Sequence, residues 1–381
     1  MKDKKTEVKD KILDNNRMFV NFAALDPFIV DNIVKPIEKE VRGQSWISWG
    51  ERNDYPNYLY SLYEGSTTLR TLINACSDYV AGDAVHSNTP YLTDAQATKL
   101  VKNMGFQILM HGGCFLNVLR NKMGQVCRVI PLDFRKVRSN VSGDTFYYSD
   151  DFAIKSYGRG KYIAYPSFDA DQSSVATSIY YYKNNYFGTY GQPDYASATI
   201  ACEVEKKIAE YHLNNLENNF SANYIITFCN GLPTDEIREE IEAMINQKYA
   251  GIENSGRPVI SFANDKEHAV QIDKLDAEDW GKKYESLRDD SRQQIFTAFR
   301  CAPTLVGILD KTTGFNEQEY SGAFKIFQRN YILPIQKEVC SILDGIFSKK
   351  DTITIEPYSI NFERDNEGVE EITSSETVEE K

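Results

Sequence analysis

The chain has 381 residues, of which 41% are hydrophobic and 26% are charged, and these proportions exclude wholesale disorder. At roughly 100–200 residues per domain, this length predicts two or three domains, or one interrupted domain. The formal net charge of -12 makes the surface a poor general binder of phosphate, because DNA is itself densely negative. Any contact with DNA should therefore be local, or deliberately non-adhesive.

Cysteine usage and hydropathy narrow the class of protein further. The seven cysteines are an odd number and are spread singly along the chain. This pattern predicts free thiols in a reducing compartment rather than disulfides or zinc sites. The charged start Met1–Lys5 precedes no apolar run, so we expect no signal peptide. No stretch approaches 18 apolar residues, so we also expect no membrane span.

The first part of the chain is predicted to be an arm followed by helices. Residues 1–45 show no clear hydrophobic period and are interpreted as an N-terminal arm. Pro56 stands where a first helical turn tolerates proline. A second helix is predicted to start after Ser66 and to end at Gly82, and a third to follow Thr93.

From Gly112 the hydrophobic period falls from about three and a half residues to two. Cys114–Leu119 and Val126–Ile130 therefore predict a β-hairpin. Eleven tyrosines lie between Tyr147 and Tyr195, in short alternating runs that favour β-structure.

The next part predicts a small unit between two charged amphipathic helices. The first helix covers about 202–220, and the second begins after Asp276 and continues to about residue 300. Between them, residues 221–275 read as a compact β-α-β-β unit, whose helix should bury Ile237. A small unit flanked by two charged amphipathic helices is the most informative pattern that the residues themselves give.

The C-terminal part predicts a loop, a kinked helix and an acidic tail. A polar loop at 310–316 precedes a helix over about 317–347, which Pro334 should kink. A strand-like pair lies within 353–362. Residues 363–381 contain 8 acidic and 2 basic residues and almost nothing apolar, so we expect a disordered or dangling tail.

Motifs for catalysis, metals and cofactors are missing from the sequence. No Walker-type loop occurs, and Gly158-Arg159-Gly160 lacks the third glycine and following helix of a dinucleotide loop. The four histidines are scattered, without partner cysteines at zinc spacing. Adjacent acidic pairs such as Asp289-Asp290 point in different directions on a helix and read as a solvated face. We therefore predict no enzyme activity, no cofactor and no metal site.

An ordered series of motifs runs along about residues 45–362. The motifs are Asn53–Pro56, Ala81–Asp83, Gly112–Ile130, Tyr190–Pro193, Phe228–Gly231, Tyr249–Pro258, Arg292–Phe299, Ala302–Gly307, Asn316-Glu317, Phe327 and Leu333-Pro334. Each motif is weak alone, but their order and spacing are specific, and the series resembles the portal proteins of tailed double-stranded DNA bacteriophages, especially the short HK97-type family. Alanine replaces the usual valine before Pro303. The chain is short past the last strand, so a large C-terminal crown is not expected.

The resemblance implies an α+β portal fold with a mixed α/β wing, a two-helix stem and a small β-α-β-β clip. The implied divisions are the arm (1–45), the first part of the wing (46–200), the stem helices (201–220 and 276–300), the clip (221–275), the tunnel loop with the kinked wing helix and closing strands (301–362), and the acidic tail (363–381).

The resemblance also implies a function and its partners. Such portals are rings of twelve subunits at one capsid vertex of the virion, assembled in the cytoplasm of the host bacterium. Double-stranded DNA passes through the ring without sequence specificity during packaging and ejection. The implied partners are further copies of the chain, the large terminase subunit, a head-completion or adaptor protein, and the major capsid and scaffolding proteins; no membrane is involved.

Functional residues follow from the resemblance only as expectations. For a lysine in the channel, a solvated surface residue is the other interpretation. The expected tunnel loop comprises Asp310, Lys311, Thr312, Thr313, Gly314, Phe315 and Asn316. Candidates for the channel-facing side of the stem are Lys282, Lys283 and Arg288. Candidates for docking of terminase or adaptor by the clip are Glu239, Glu240 and Lys248, and candidates for the ring interface are Trp280, Tyr284 and Leu287.

Two other functions remain open from the residues alone. The tyrosine-rich segment 145–195 would suit an acidic module that binds protein or glycan. A hydrolase whose site is dispersed along the chain is the second alternative.

Overall fold

A computed structural model describes residues 34–41, 44–150, 152, 162–171, 174–185, 187–217, 225–228, 234, 237, 240, 259–262, 277–308 and 317–359. Helices and strands are mixed along the chain, which confirms the predicted α+β class. The described residues form two compact units. The larger comprises 34–203 with 292–359, and the smaller lies within 204–291.

The larger unit begins with three helices whose ends are set by local chemistry. They are α1 (Tyr55–Gly65), α2 (Thr67–Ala81) and α3 (Asp94–His111). The Ser66 side chain accepts a hydrogen bond from the Leu69 N–H, and Thr93 forms a reciprocal capping box with Gln96. Gly112 ends α3 in the left-handed conformation, with φ of 78°. The predicted second and third helices are confirmed.

Four small sheets accompany these helices. Strands β1 (Glu38–Glu40) and β2 (Ile47–Trp49) pair with each other, and β3 (Ala84–Ser87) pairs with the last strand, β12 (Ile353–Glu356). The three-stranded sheets have the orders β5-β4-β9 and β6-β7-β8. Their strands are β4 (Gly113–Arg120), β5 (Val126–Pro131), β6 (Val137–Ser139), β7 (Thr145–Tyr148), β8 (Ile163–Pro166) and β9 (Thr177–Lys183).

The predicted hairpin is confirmed as β4 and β5. Two features of this region differ from the sequence interpretation. Strand β1 lies inside the segment interpreted as an arm, because Glu38 pairs opposite Trp49. Strand β12 pairs with β3, more than 260 residues earlier in the chain, and residues from 360 onwards lie outside the described part.

Two long helices and two short strands follow. The helices are α4 (Thr199–Glu217) and α5 (Ala277–Ala298). Strands β10 (Ile225–Phe228) and β11 (Val259–Phe262) lie between them in the sequence and pair in parallel. A parallel pair needs a long crossover connection, and the 30 intervening residues are long enough to supply one.

A π-helical turn precedes Pro334, where the sequence predicts a kink. Helix α6 (Glu317–Phe327) runs into π-helical residues Gln328–Ile332 and then into α7 (Leu333–Phe347). Proline has no N–H to donate and its ring clashes with the carbonyl four residues earlier. Widening the preceding turn to π geometry accommodates both effects, so Pro334 falls in the first turn of α7.

Candidate functional site

The two helices predicted as a stem each have one buried end and an exposed stretch further along. In α4, Ala201 and Cys202 are buried, whereas His212 and Leu213 are exposed. In α5, residues 285–290 are all exposed, whereas Ile295 and Phe296 are buried. Each helix is therefore anchored in the core at one end and exposes part of its described length to solvent.

Aromatic residues anchor the buried ends within the larger unit. Tyr195, just before α4, stacks on Phe299, just after α5, with ring centroids 5.7 Å apart. The Tyr195 hydroxyl donates a hydrogen bond to the Met110 carbonyl at 2.8 Å, and Phe299 meets Tyr331 edge-on at 6.4 Å. The start of α4 and the end of α5 are thus fixed to α3 and to the π-helical turn.

A second aromatic contact joins the two helices within the smaller unit. The rings of Tyr211 on α4 and Tyr284 on α5 lie 4.8 Å apart, and His212 meets Tyr284 edge-on at 6.0 Å. Burial, followed by the hydrogen bond with Tyr211, raises the pKa of Tyr284 to about 12. Both factors favour the neutral phenol of Tyr284.

Apolar side chains are exposed on the same stretches of helix. Leu213 on α4 is 55% exposed and Leu287 on α5 is 49% exposed. Both lie among charged neighbours such as Glu210 and Arg288. Single exposed leucines are common on protein surfaces, so these two mark positions available to another chain without showing that one covers them.

The structure locates only part of the predicted stem residues. Tyr284 is half-buried against Tyr211 of its own chain, and Arg288 is exposed. Trp280, Lys282 and Lys283 belong to α5, but their side chains lie outside the described part. Among the predicted interface residues, Leu287 is therefore the one whose described side chain is exposed.

The predicted tunnel loop and most of the predicted clip cannot be placed. Residues 310–316 lie outside the described part, as do Glu239 and Lys248. Glu240 is helical and exposed, in keeping with its predicted position. Ile237 is 49% exposed, so its predicted place on a buried stripe is wrong for this chain taken alone.

The Asn53–Pro56 motif is an internal polar network. Asn53 has a φ of 60°, a left-handed conformation that asparagine tolerates better than most residues. Its side-chain oxygen accepts hydrogen bonds from the Trp49 N–H at 3.0 Å and from the guanidinium of Arg138 at 2.6 Å. Arg138 is fully buried and also donates to three backbone carbonyls within residues 134–137. The motif secures the start of α1.

In the Tyr190–Pro193 motif, the backbone at Gly191 packs closely against the backbone at Gly112. Tyr190 stacks on Trp49 at 4.4 Å, and its hydroxyl donates to the Ile47 carbonyl at 2.6 Å. A Cβ atom on Gly191 would lie 2.2 Å from the Gly112 carbonyl oxygen, so a larger residue cannot fit there. These motifs therefore support the fold of the larger unit rather than a chemical site.

Two of the clustered tyrosines are buried in the core, and five others are partly buried against it. Tyr181 stacks on Phe115 at 4.0 Å, and Tyr190 and Tyr195 are 2% and 0% exposed. Burial raises the pKa of all three hydroxyls, and each makes a hydrogen bond to backbone. The tyrosine-rich binding module considered from the sequence is not supported.

The described residues offer no metal site and no disulfide. In this part of the chain, no group of histidine, cysteine, aspartate or glutamate side chains could hold a metal ion. The six described cysteines are free thiols. No described helix is both long enough and apolar enough to cross a membrane.

Comparison with known proteins identifies the protein family of this chain. The family model for phage portal proteins matches residues 90–367, which is more than half of the chain. The chain therefore belongs to the phage portal protein family. A curated relative, the probable portal protein of Haemophilus phage HP1 (strain HP1c1), is 20% identical over 263 residues, which cover 67% of this chain and 71% of that protein.

Solved structures resemble this chain with low sequence identity and with TM-scores below 0.5. The neck of a native gene transfer agent particle, computed with C12 symmetry, contains a chain with 16% identity and a TM-score of 0.46. The match covers 85% of this chain and 91% of that one. An HK97 family phage portal protein from Corynebacterium diphtheriae is 10% identical, with a TM-score of 0.41, covering 78% of this chain and 93% of that one. Likeness at this level supports no residue-by-residue correspondence.

Proposed function

We propose that this chain assembles into a twelve-membered ring at one vertex of a phage or phage-like capsid. The ring is the channel through which double-stranded DNA is packaged and later ejected. The match of residues 90–367 to the phage portal family is the observation that carries this proposal. The proposed role is structural, with no catalytic step assigned to the chain.

The two long helices support a stem in such a ring. Each is fixed at one end by a buried aromatic anchor, Tyr195 for α4 and Phe299 for α5. Each also exposes a leucine further along, Leu213 or Leu287. In a closed ring, every subunit contacts its neighbours through the same two faces. If those faces include these leucines, the leucines are covered on every subunit.

The charge of the chain suits a channel through which DNA slides. A net charge of -12 per chain disfavours tight binding of phosphate along the ring. The proposed local exceptions are Lys282, Lys283, Arg288 and Lys311, each repeated around the ring by symmetry. Lys311 belongs to the proposed tunnel loop at 310–316.

The proposed clip supplies docking for other packaging components. Glu239, Glu240 and Lys248 are the proposed contacts for the large terminase subunit and, later, for a head-completion or adaptor protein. Half-exposed Ile237 adds an apolar position beside exposed Glu240, in keeping with a surface that a partner covers. The major capsid and scaffolding proteins are proposed partners of the wing, and assembly is proposed to occur in the bacterial cytoplasm.

A mass measurement on the purified full chain tests the ring. Light scattering after size-exclusion chromatography is expected to give a mass near twelve times 43.5 kDa. Rings that close with a neighbouring number of subunits would keep the channel proposal. A stable monomer at all concentrations would contradict it and would favour a binding module or an enzyme.

A further inference from the structure

The larger unit contains an open cleft with an apolar base and a basic rim. The cleft has a volume of about 660 Å³ and lies between α3, β5 and the short helix Phe134–Lys136. Leu100 and Val129, which are 4% and 6% exposed, contribute to its base together with half-buried Leu92 and Phe106. Lys99 and Arg128 stand exposed at its edge.

Two other charges of the cleft neutralise each other. Arg135 donates to both carboxylate oxygens of Asp133, with the shortest contact at 2.7 Å, and its guanidinium stacks 3.9 Å above the Tyr60 ring. Burial alone would raise the pKa of Asp133, but the hydrogen bonds from Arg135 hold it below its usual range. The Asp133–Arg135 pair is therefore ionised and has no net charge.

Lys99 and Arg128 have no such compensation. Neither forms an ion pair with a residue in the described part of the chain. Two unpaired cations therefore flank the apolar base, on a chain whose net charge is -12. This combination suits a ligand that carries both carboxylates and aliphatic side chains.

We propose that this cleft is a binding site for an acidic peptide segment, and that its ligand is the C-terminal segment 363–381 of this chain. The segment holds 8 acidic and 2 basic residues, which complement Lys99 and Arg128. Val369 and Ile372 stand among the acids, in the sequence Glu367-Gly368-Val369-Glu370-Glu371-Ile372. These two side chains are the proposed occupants of the apolar base.

The place where the described chain ends allows this contact. Both the N–H and the hydroxyl of Ser359 donate to the Asp83 carboxylate, at 2.9 and 3.0 Å. Tyr91 on the cleft wall is eight residues from Asp83, so the two lie at most about 28 Å apart. The nine residues 360–368 span roughly 30 Å when extended, which is long enough for Val369 to reach the cleft at Tyr91.

Amide hydrogen exchange on the full chain tests the proposal. Mass spectrometry is expected to find slowed exchange around Val369 and Ile372. The double variant Lys99→Glu, Arg128→Glu should speed that exchange about tenfold, because two attractions become repulsions. The variant Val369→Ser, Ile372→Ser should also lose protection, because it removes the side chains assigned to the apolar base.

Lys102→Glu is the matched control. Lys102 is exposed on the same helix, pairs with Asp78 and is not part of the cleft. This variant should leave exchange in 363–381 unchanged. Full-speed exchange in the wild-type chain would overturn the proposal, because the cleft would then be open to another ligand. Protection that survives the Lys99→Glu, Arg128→Glu change would also overturn it, because the segment would then be held elsewhere.

Discussion

At the scale of single residues, His111 is the most unusual side chain of the larger unit. It is fully buried, and neither ring nitrogen has a hydrogen-bond partner among the described residues. Its neighbours are aromatic, with Phe134 at 4.4 Å, Trp49 at 5.7 Å and Phe115 at 5.9 Å. Burial lowers the pKa of His111 to about 3, and the Asp133 charge only partly opposes this shift.

This histidine should make the fold sensitive to acid. Its pKa is lower in the folded than in the unfolded chain, so the unfolded chain binds the extra proton as pH falls from about 6.5 towards 3. The free energy of unfolding should then drop by about 1.4 kcal/mol per pH unit from this group alone. The variant His111→Phe should lose that contribution, as measured by urea unfolding between pH 6.5 and 4.

Met104→Leu provides the control for this prediction. Met104 is buried in the same helix as His111 and does not titrate, so this change should leave the pH dependence of unfolding unchanged. An equal slope in wild type and His111→Phe would mean that His111 is not buried in its neutral form.

The sequence could not identify His111 as a core residue. It stands directly before Gly112-Gly113, a position that normally marks a helix end at the surface. Its burial depends on Trp49 and Phe134, which come from distant parts of the chain. Local patterns carry no information about such contacts.

At the scale of elements, helix ends were predictable and long-range strand pairs were not. Ser66, Thr93, Gly82 and Gly112 mark helix boundaries through contacts a few residues away. These signals are local, so one sequence contains them. The pairing of β3 with β12 joins residues 84–87 to 353–356, and no local pattern specifies a partner at that distance.

The exposed surface of α5 leads to a prediction about assembly. Leu287 is 49% exposed in the single chain, so Leu287→Asp should leave the fold intact. If neighbouring copies cover this leucine, the same change buries an unpaired charge at every interface of the ring. The ring should then dissociate at protein concentrations at least tenfold higher than for wild type, as followed by light scattering.

Ser286→Asp is the matched control for this prediction. Ser286 is also exposed on α5, and the substitution introduces the same charge one residue away. It should weaken the ring much less. Unchanged assembly of Leu287→Asp would mean that this face of α5 does not meet a neighbour.

At the scale of the whole molecule, we expect the charge of Lys311 in the proposed tunnel loop to affect how much DNA the particle packages and retains. Lys311 would place a ring of positive charge beside passing phosphates, while Asp310 limits how tightly that ring holds them. Lys311→Glu should therefore leave ring mass unchanged but reduce the amount of packaged DNA. The defect should depend on salt, since added ions screen exposed charges. Packaging yield can be measured as protected DNA per particle at several salt concentrations.

Wild-type packaging by Lys311→Glu at low salt would contradict this role. Thr312→Ser is a suitable control, because it changes the same loop without changing its charge. It should package as wild type does.

The two long helices and the small unit between them could be proposed from the sequence. The side chains that face a channel could not be derived from it. The two amphipathic helices and the small unit between them follow from hydrophobic period and turn residues. The side of α5 that faces a channel depends on neighbouring copies, which one chain does not contain. Lys282, Lys283 and Arg288 therefore remain predictions about an assembly.

Electron microscopy of the purified full chain tests the central claim most directly. Averaged end-on views are expected to show a closed ring with rotational symmetry and an open centre wide enough for a DNA duplex. Single small particles without symmetry, or rings without an open centre, would contradict the portal account.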